Sequence, residues 1–489
     1  MLFNSHIFML LFLPLLLAGW YFLNWKKKFQ LAQGYLIGMS LWFYAYANLQ
    51  YLWLLLFSCL IGWLLSCLPE KISSEKGKKV LTGVGCVFHL GLLGYFKYSN
   101  FFLENLNTVF HTDFPMLQIL LPVGISFYTF QQLAYLIDRC RGDAPRDSFF
   151  DYLTFMVYFP QLLQGPILLR SEFMGQLKEP ERRRFHAERF SEGIQFFVFG
   201  LAKKVLLADT LAKAVNYGYS NVSMLDSISA LLLAVGYLTE LYFDFSGYCD
   251  MAVGLGKMIG LEVAENFDAP FHSASVKEFW RRWHMTLGRF FTRYVYIPLG
   301  GNRRGKMRTL CNVMIVMLLS GLWHGAAWTF VLWGFLHGVG MIWDNLEHPH
   351  LPKKWMRQAA TFAYVCMTFV FFRAESIAQG IDVLKSIVSL KWNGFVFQMA
   401  SALDLTEFYM ITKALSMKLP GLLSWFWLGI FVVLIAICFR VLSGKKVSGV
   451  VALQKQKGYG RLYPVLLAFL FTWSMISMTG VSEYLYFSF

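Results

Sequence analysis

The chain has 489 residues, 57% of them hydrophobic and 15% charged, where a soluble domain averages roughly 45–50% apolar and about 25% charged. That imbalance excludes an ordinary soluble domain. The net charge of +15 would suggest nucleic-acid binding in a soluble protein, but here the Lys and Arg residues sit in short loops between apolar runs, as positive-inside sorting requires.

Apolar runs near the length that crosses a hydrocarbon core as helix, roughly 17–25 residues, recur along the whole chain. In order, the predicted spans are residues 7–23, 31–47, 51–68, 80–96, 117–136, 194–212, 228–243, 309–323, 326–342, 359–372, 423–441 and 463–478. The first run precedes its basic cluster, Lys26 to Lys28, which is the reverse of a secretory signal, so it reads as a retained helix. The basic loops at 26–28, 71–79, 139–146, 178–189 and 445–461 are assigned to the cytoplasm. Loop 99–113, nearly free of Lys and Arg, faces outward, as do both termini. No repeat, low-complexity tract or hydrophilic domain interrupts the series, so 1–489 reads as one domain: N-terminal helices at 1–115, a motif-bearing core at 116–376, and C-terminal helices with an aromatic tail at 377–489. The eight cysteines show no CxxC or Cys/His spacing, which predicts neither a disulfide framework nor a metal site.

Three segments depart from plain spans. Residues 149–169 are apolar but broken by Pro160, Gln161, Gln164, Gly165 and Pro166, which predicts a re-entrant or protein-buried path, because lipid-exposed backbone cannot stay unpaired. Residues 241–260 carry Asp244, Ser246, Tyr248 and Asp250 beside Gly247, Gly254 and Gly256; acids at membrane depth need partners or a cavity, while polar glue between closely packed helices is the competing reading. Residues 277–294 interleave Lys277, Arg281, Arg282, Arg289 and Arg293 with Phe279, Trp280, Trp283, Phe290 and Phe291. As one helix they would set Arg282, Arg289 and Arg293 on a single face along the interface, available to lipid head groups or to the phosphates of a soluble donor.

Of ten histidines, seven (His6, His89, His111, His186, His272, His348 and His350) lie in loops, near ends or singly, and read as structural or solvated. His337 reads as packing. His324, in Ser320-Gly321-Leu322-Trp323-His324-Gly325-Ala326, sits between two long apolar runs, where an imidazole is either satisfied by packing or used to move a proton. His284, 40 residues upstream at the inner end of the basic-aromatic helix, reads by itself as an interfacial residue beside tryptophans.

Several motifs together resemble the membrane-bound O-acyltransferase (MBOAT) family. They are Leu121 to Gln131 (LPVGISFYTFQ), Phe159-Pro160-Gln161 with Gln164-Gly165-Pro166, and Phe243 to Tyr248 (FDFSGY). Phe279 to His284 (FWRRWH), Tyr296 to Asn302 (YIPLGGN), Gly321 to Gly325 (GLWHG) and Phe371 to Ala374 (FFRA) continue the match. The resemblance is greatest to the bacterial branch of alginate O-acetylases and cell-wall polysaccharide O-acetylating membrane subunits. It implies an all-α polytopic ring of about a dozen transmembrane helices, with re-entrant and interfacial helices around a central funnel, in the inner (cytoplasmic) membrane of a bacterium. It also implies His324 as the catalytic base and His284 as the second polar group. The expected donor is acetyl-CoA or an acyl carrier protein thioester, with its phosphates near Arg281, Arg282, Arg289 and Arg293, and with no bound cofactor or metal. The ending Tyr484-Leu485-Tyr486-Phe487-Ser488-Phe489 is similar to an aromatic tail whose central tyrosine, here Tyr486, relays the acyl group; an interfacial aromatic belt is the competing reading. Expected partners are membrane lipid, an extracellular SGNH-type acetyltransferase and a polysaccharide acceptor, with no nucleic acid. No Gly-x-Ser-x-Gly elbow occurs in this chain, so a serine relay must come from that partner. A transporter or flippase of an acylated lipid or sugar, a recruiting scaffold, and a family member acylating a lipid or protein are the alternatives.

The topology is testable by cysteine labelling in intact cells against the native background. His111→Cys should react with a membrane-impermeant maleimide from outside, and Lys76→Cys only after permeabilisation; the opposite pattern would reverse the orientation.

Overall fold

The computed structural model describes residues 1–346, 352–444, 446–458, 460–478 and 484–485. The chain is 79% helical, with no strand among the described residues. Six helical stretches are by themselves long and apolar enough to cross a membrane: Phe8–Trp25, Leu49–Glu70, Glu75–Phe110, Ser227–Ile259, Lys306–His324 and Pro420–Leu442. The other predicted spans coincide with Phe29–Asn48, Ile125–Arg141, Ala187–Ala202 with its continuation, Trp328–Asn345, Lys354–Arg373 and Leu462–Ser477, which are shorter or more polar. This is a multi-pass membrane protein.

Three local expectations are corrected. Span 117–136 does not begin as helix: Pro122 and Gly124 delay it to Ile125, with Gly124 left-handed at φ +77° and its α-carbon so close to the Leu162 carbonyl that a Cβ would lie 2.5 Å from that oxygen. Span 228–243 does not stop before the acids, but runs unbroken through them as the 33-residue helix Ser227–Ile259. Residues 277–294 are not one helix. Val276–Arg282 ends, His284 takes a left-handed conformation at φ +44°, and Met285–Phe291 begins anew, so the arginines do not share one face.

The broken segment 149–169 is buried in protein, as its prolines and glutamines required. Helix Phe149–Val157 gives way to a four-residue turn, Phe159–Leu162, and then to extended chain, and Tyr152 and every residue from Thr154 to Leu168 are buried.

The basic loops converge on one face. Arg139 meets Glu70 at 2.5 Å, Arg183 donates to the Phe29 carbonyl at 3.1 Å, and Lys178 meets Asp151 at 3.2 Å. Lys446 meets Glu265 at 3.1 Å and Lys455 meets Glu188 at 2.7 Å. The exposed pairs among them add little stability each, but together they gather on one face the loops that the positive-inside rule assigns to the cytoplasm. At the opposite face the Met1 ammonium donates to the Phe43 carbonyl at 2.9 Å, and Ser477 donates to Glu407 at 2.7 Å.

The core contact is between Ala187–Ala202 and Ser227–Ile259, which touch backbone to backbone at two glycine pairs. A Cβ on Gly193 would lie 2.7 Å from the Gly254 carbonyl oxygen, and one on Gly200 2.5 Å from that of Gly247. Small residues permit this approach where lipid supplies no hydrophobic drive between helices. Gly247→Leu should cost at least about 1–3 kcal/mol of overpacking, read as a lowered unfolding midpoint in detergent. Gly91→Leu, whose added Cβ would meet nothing within 4 Å, should leave it unchanged. Equal midpoints would show that the glycine contact is not required.

Candidate active site

His324 is the last residue of the helix Lys306–His324, and its position follows from how that helix ends. The terminal carbonyls of a helix lack intrahelical partners and carry the negative end of its dipole. Here the Lys97 ammonium donates to the carbonyls of Trp323 and His324, at 2.7 and 2.9 Å, and lies 3.5 Å from Ser126 Oγ. The following chain turns back at Gly325 into Trp328–Asn345, which packs on the first helix through Gly321 and Gly334. The imidazole, 3% exposed, is walled by the rings of Trp323, Trp333 and Phe372 at 4.9, 5.1 and 5.1 Å.

A cavity of about 50 Å³ opens beside it, lined by Lys97, residues 121–127, Leu163, Trp323 and His324. One water needs roughly 10–15 Å³ by a comparable measure, so there is room for a small polar group. Its wall from Leu121 to Gly124 continues from residues 112–120, which the Asn100 side chain ties down by bonds at 2.9 and 2.8 Å to the backbone of Leu117.

His284 is fully buried behind Trp323, whose ring centroid lies 6.0 Å away. Asn266 organises this place: its Oδ1 lies 3.3 Å from His284 Nδ1 and accepts from the Thr286 amide and hydroxyl at 3.0 and 2.7 Å. The Thr286 hydroxyl also accepts from the Ile167 amide at 3.0 Å. The buried segment from Leu163 to Ile167 therefore spans from the His324 cavity to the His284 turn. Between them lies Gln164, fully buried, with neither end of its amide partnered among the described residues.

The four arginines are less uniform than their sequence pattern. Arg282 binds Glu278 at 2.9 Å and the Asp268 carbonyl at 3.2 Å, and Arg289 binds Glu172 at 3.0 Å and the Ile167 carbonyl at 3.0 Å. Arg293 binds Asp138 and Asp143 at 3.0 and 2.9 Å. Arg281 is exposed and has no ion pair among the described residues. Burial opposes ionisation of Glu278, yet the Ala274 amide and the guanidinium of Arg282 outweigh it and hold its carboxyl below the usual range. These pairs fix the turn carrying His284, and of the four arginines only Arg281 has no ion pair among the described residues.

His337 has both ring nitrogens engaged, by Trp280 at 3.2 Å and Thr368 at 2.9 Å. His348, His350 and Tyr486 lie outside the described residues. Among the described residues no His, Cys, Asp and Glu group is arranged to hold a metal. A cavity of about 1170 Å³ between Pro420–Leu442, Leu462–Ser477 and the Lys203–Asp209 stretch is lined by neither histidine. Lys97 escaped the sequence reading because the predicted span ended one residue before it, at Phe96; a lone lysine extending an apolar run was the available signal. Asn266 carries no such signal, since only the fold brings it beneath His284.

Residues 144–379, which contain both histidines but not the tail, match MBOAT, the membrane-bound O-acyltransferase family. A peptidoglycan O-acetyltransferase of Helicobacter pylori is 35% identical over 423 residues, 80% of this chain and 80% of that protein. A probable alginate O-acetylase AlgI of Azotobacter vinelandii is 39% identical over 389 residues, covering 77% of this chain and 76% of that protein. A teichoic acid D-alanyltransferase of Streptococcus thermophilus is 28% identical over 253 residues, 49% of this chain and 58% of its own. The chain belongs to the membrane-bound O-acyltransferase family and is an O-acyltransferase.

Since Lys97 closes the helix end that carries His324, Lys97→Met should lower turnover roughly 10–100-fold, about 1.4–2.7 kcal/mol, with the KM for the thioester donor unchanged. Unchanged turnover would separate the helix cap from the chemistry.

Proposed function

We propose that the protein moves an acetyl group from cytoplasmic acetyl-CoA, or an acyl carrier protein thioester, across a bacterial inner membrane for O-acetylation of an extracellular or cell-wall polysaccharide. The single observation that carries this reading is the placement of His324. Its cavity is walled by chain continuing from the outer face, while His284, 40 residues earlier in the chain, stands behind Trp323 on the turn fixed by the basic, cytoplasm-side arginine pairs. The printed activities of the alginate and peptidoglycan relatives support acetyl as the group and a polysaccharide as the final acceptor.

In this reading the donor's phosphates meet Arg281 at the cytoplasmic face, and its arm runs along the Leu163–Ile167 segment, where the Gln164 amide is available to the pantetheine amides. A phenol with a pKa of about 10 attacks a thioester poorly unless a base takes its proton. The Tyr486 hydroxyl oxygen bonds to the acetyl carbonyl carbon as His324 accepts the phenolic proton. The carbon–sulfur bond then breaks, and the leaving thiolate takes that proton from His324. The products are an acetyl ester on Tyr486 and a free thiol, with His324 regenerated. His284, held by Asn266, orients the donor carbonyl or stabilises its developing charge. A serine of an extracellular SGNH-type partner then accepts the acetyl group from Tyr486 and passes it to a polymer hydroxyl.

Intact mass measurement of purified protein incubated with isotopically labelled acetyl-CoA tests this. Wild type should carry label on the C-terminal peptide, and His324→Ala and Tyr486→Phe should each reduce it at least 100-fold. Label that persists on the peptide of Tyr486→Phe would remove the tyrosine relay, and label that persists in His324→Ala would remove the base.

A further inference from the structure

Of the tail, the described residues are Tyr484 and Leu485, and they pack into the protein. Tyr484 is fully buried, which an aromatic belt at head-group level does not require. Its ring lies beneath the Lys204 ammonium, 4.6 Å from the centroid, and meets the Tyr248 ring edge-on at 5.0 Å. The next residue, Leu485, donates its amide to Asp244 Oδ2 at 3.1 Å. The same carboxylate accepts from Lys204 through Oδ1 at 2.6 Å, and Lys204 also meets Asp209 at 2.8 Å.

These charges sit where the two glycine-paired helices cross. At Lys203–Ala208 the chain winds as a π-helix, a local form frequent at functional sites. Gly200 and Gly247 bring the backbones together just before it, so Lys203 reaches Asp250 at 2.6 Å and Lys204 reaches Asp244 on the other side of Gly247. Asp244 and Tyr248 are four residues apart and share a helix face, the one the tail occupies. Phe245 points about 100° away around the same turn, and its ring meets His284 at 4.7 Å. One turn of Ser227–Ile259 thus holds Tyr484 and Leu485 on one side and touches His284 on the other. The N-terminus closes the same pocket, with Phe3 stacked on Tyr248 at 4.7 Å.

We propose that Lys204, Asp244 and Tyr248 form a docking site for the C-terminal tail, gripping Tyr484 and Leu485 and so setting where the Tyr486 hydroxyl is presented to His324. This rests on the relay reading of Tyr486. Two extended residues span at most about 7 Å, so a grip at Tyr484 confines the hydroxyl two positions on. Binding is mutual: the tail's amide completes the hydrogen bonding of a carboxylate buried at membrane depth, where partnership is otherwise scarce. The three act through Tyr484 and Leu485 and are positioning residues.

The test uses full-length protein in membranes with labelled acetyl donor, following label on Tyr486. Tyr484→Leu should slow loading at least 10-fold without changing the donor concentration for half-maximal rate, whereas Tyr484→Phe, which keeps the ring under Lys204, should restore it. Because Asp244→Asn can disturb folding, a photo-reactive p-benzoylphenylalanine at position 484 supplies the second measurement, and should cross-link to the peptides bearing residues 203–209 or 243–250. Wild-type loading in Tyr484→Leu, or cross-links only to other segments, overturns the dock. Absence of label on wild-type Tyr486 while polymer is still acetylated overturns the relay and the dock with it, a result distinct from loading that ignores position 484.

Discussion

Everything around the site depends on how charge and backbone are satisfied along the helix Ser227–Ile259 inside a medium that offers no water. That helix carries Asp244 and Asp250 at depth, and an isolated carboxylate there is unfavourable unless paired. The glycine contacts with Ala187–Ala202 solve the problem sterically: with no side chains between the backbones, Lys203 and Lys204 reach their acids at 2.6 Å each. Removing one partner of such a buried pair costs roughly 3–5 kcal/mol because the other charge is stranded. The pairs are therefore commitments of the fold, and they place the helix whose neighbouring face packs Phe245 against His284.

The second constraint is the end of a helix. His324 occupies the last position of Lys306–His324, where unpaired carbonyls point onward, and Lys97 comes from a different span to meet them. A cation at a helix C-terminus is favoured by the dipole and by the hydrogen bonds together. The residue that caps the helix thereby fixes the backbone from which the imidazole projects. On the other side, the left-handed turn at His284 is secured by Asn266 and Thr286 and tied to the buried segment 163–167. The two histidines thus come from separate elements, brought together by satisfied backbone on both sides and separated by the Trp323 ring.

Much of this was legible in the sequence, for physical reasons that differ residue by residue. Span length reads directly as helix because bilayer thickness sets it, and the Pro and Gln residues of 149–169 announced a buried path because lipid forbids unpaired backbone. His324 stood out because small residues and apolar runs flank it. Illegible were the things that depend on where elements meet. Leu117 to Gly124 has the composition of a span, but Pro122 and a left-handed Gly124 pressed on Leu162 keep it extended. The arginines at 282, 289 and 293 have the period of one helix face, yet the turn at His284 breaks it, Glu278 on its own helix claims Arg282, and carboxylates from distant segments claim Arg289 and Arg293. Lys97 and the grip on Tyr484 belong to the same class, since no local pattern encodes a partner more than two hundred residues away, and Asn266 reaches His284 only across a turn that no helical or strand period spans.

The central claim is that donor and acceptor meet between His284 and His324. A structure of the full-length protein with a non-hydrolysable thioether analogue of acetyl-CoA bound tests it most directly. The account predicts the analogue's nucleotide end near Arg281 at the basic face, and its acyl end beside Trp323, within hydrogen-bonding reach of one or both imidazoles. An acyl end lodged in the 1170 Å³ cavity beside Leu462–Ser477, away from both histidines, would contradict it.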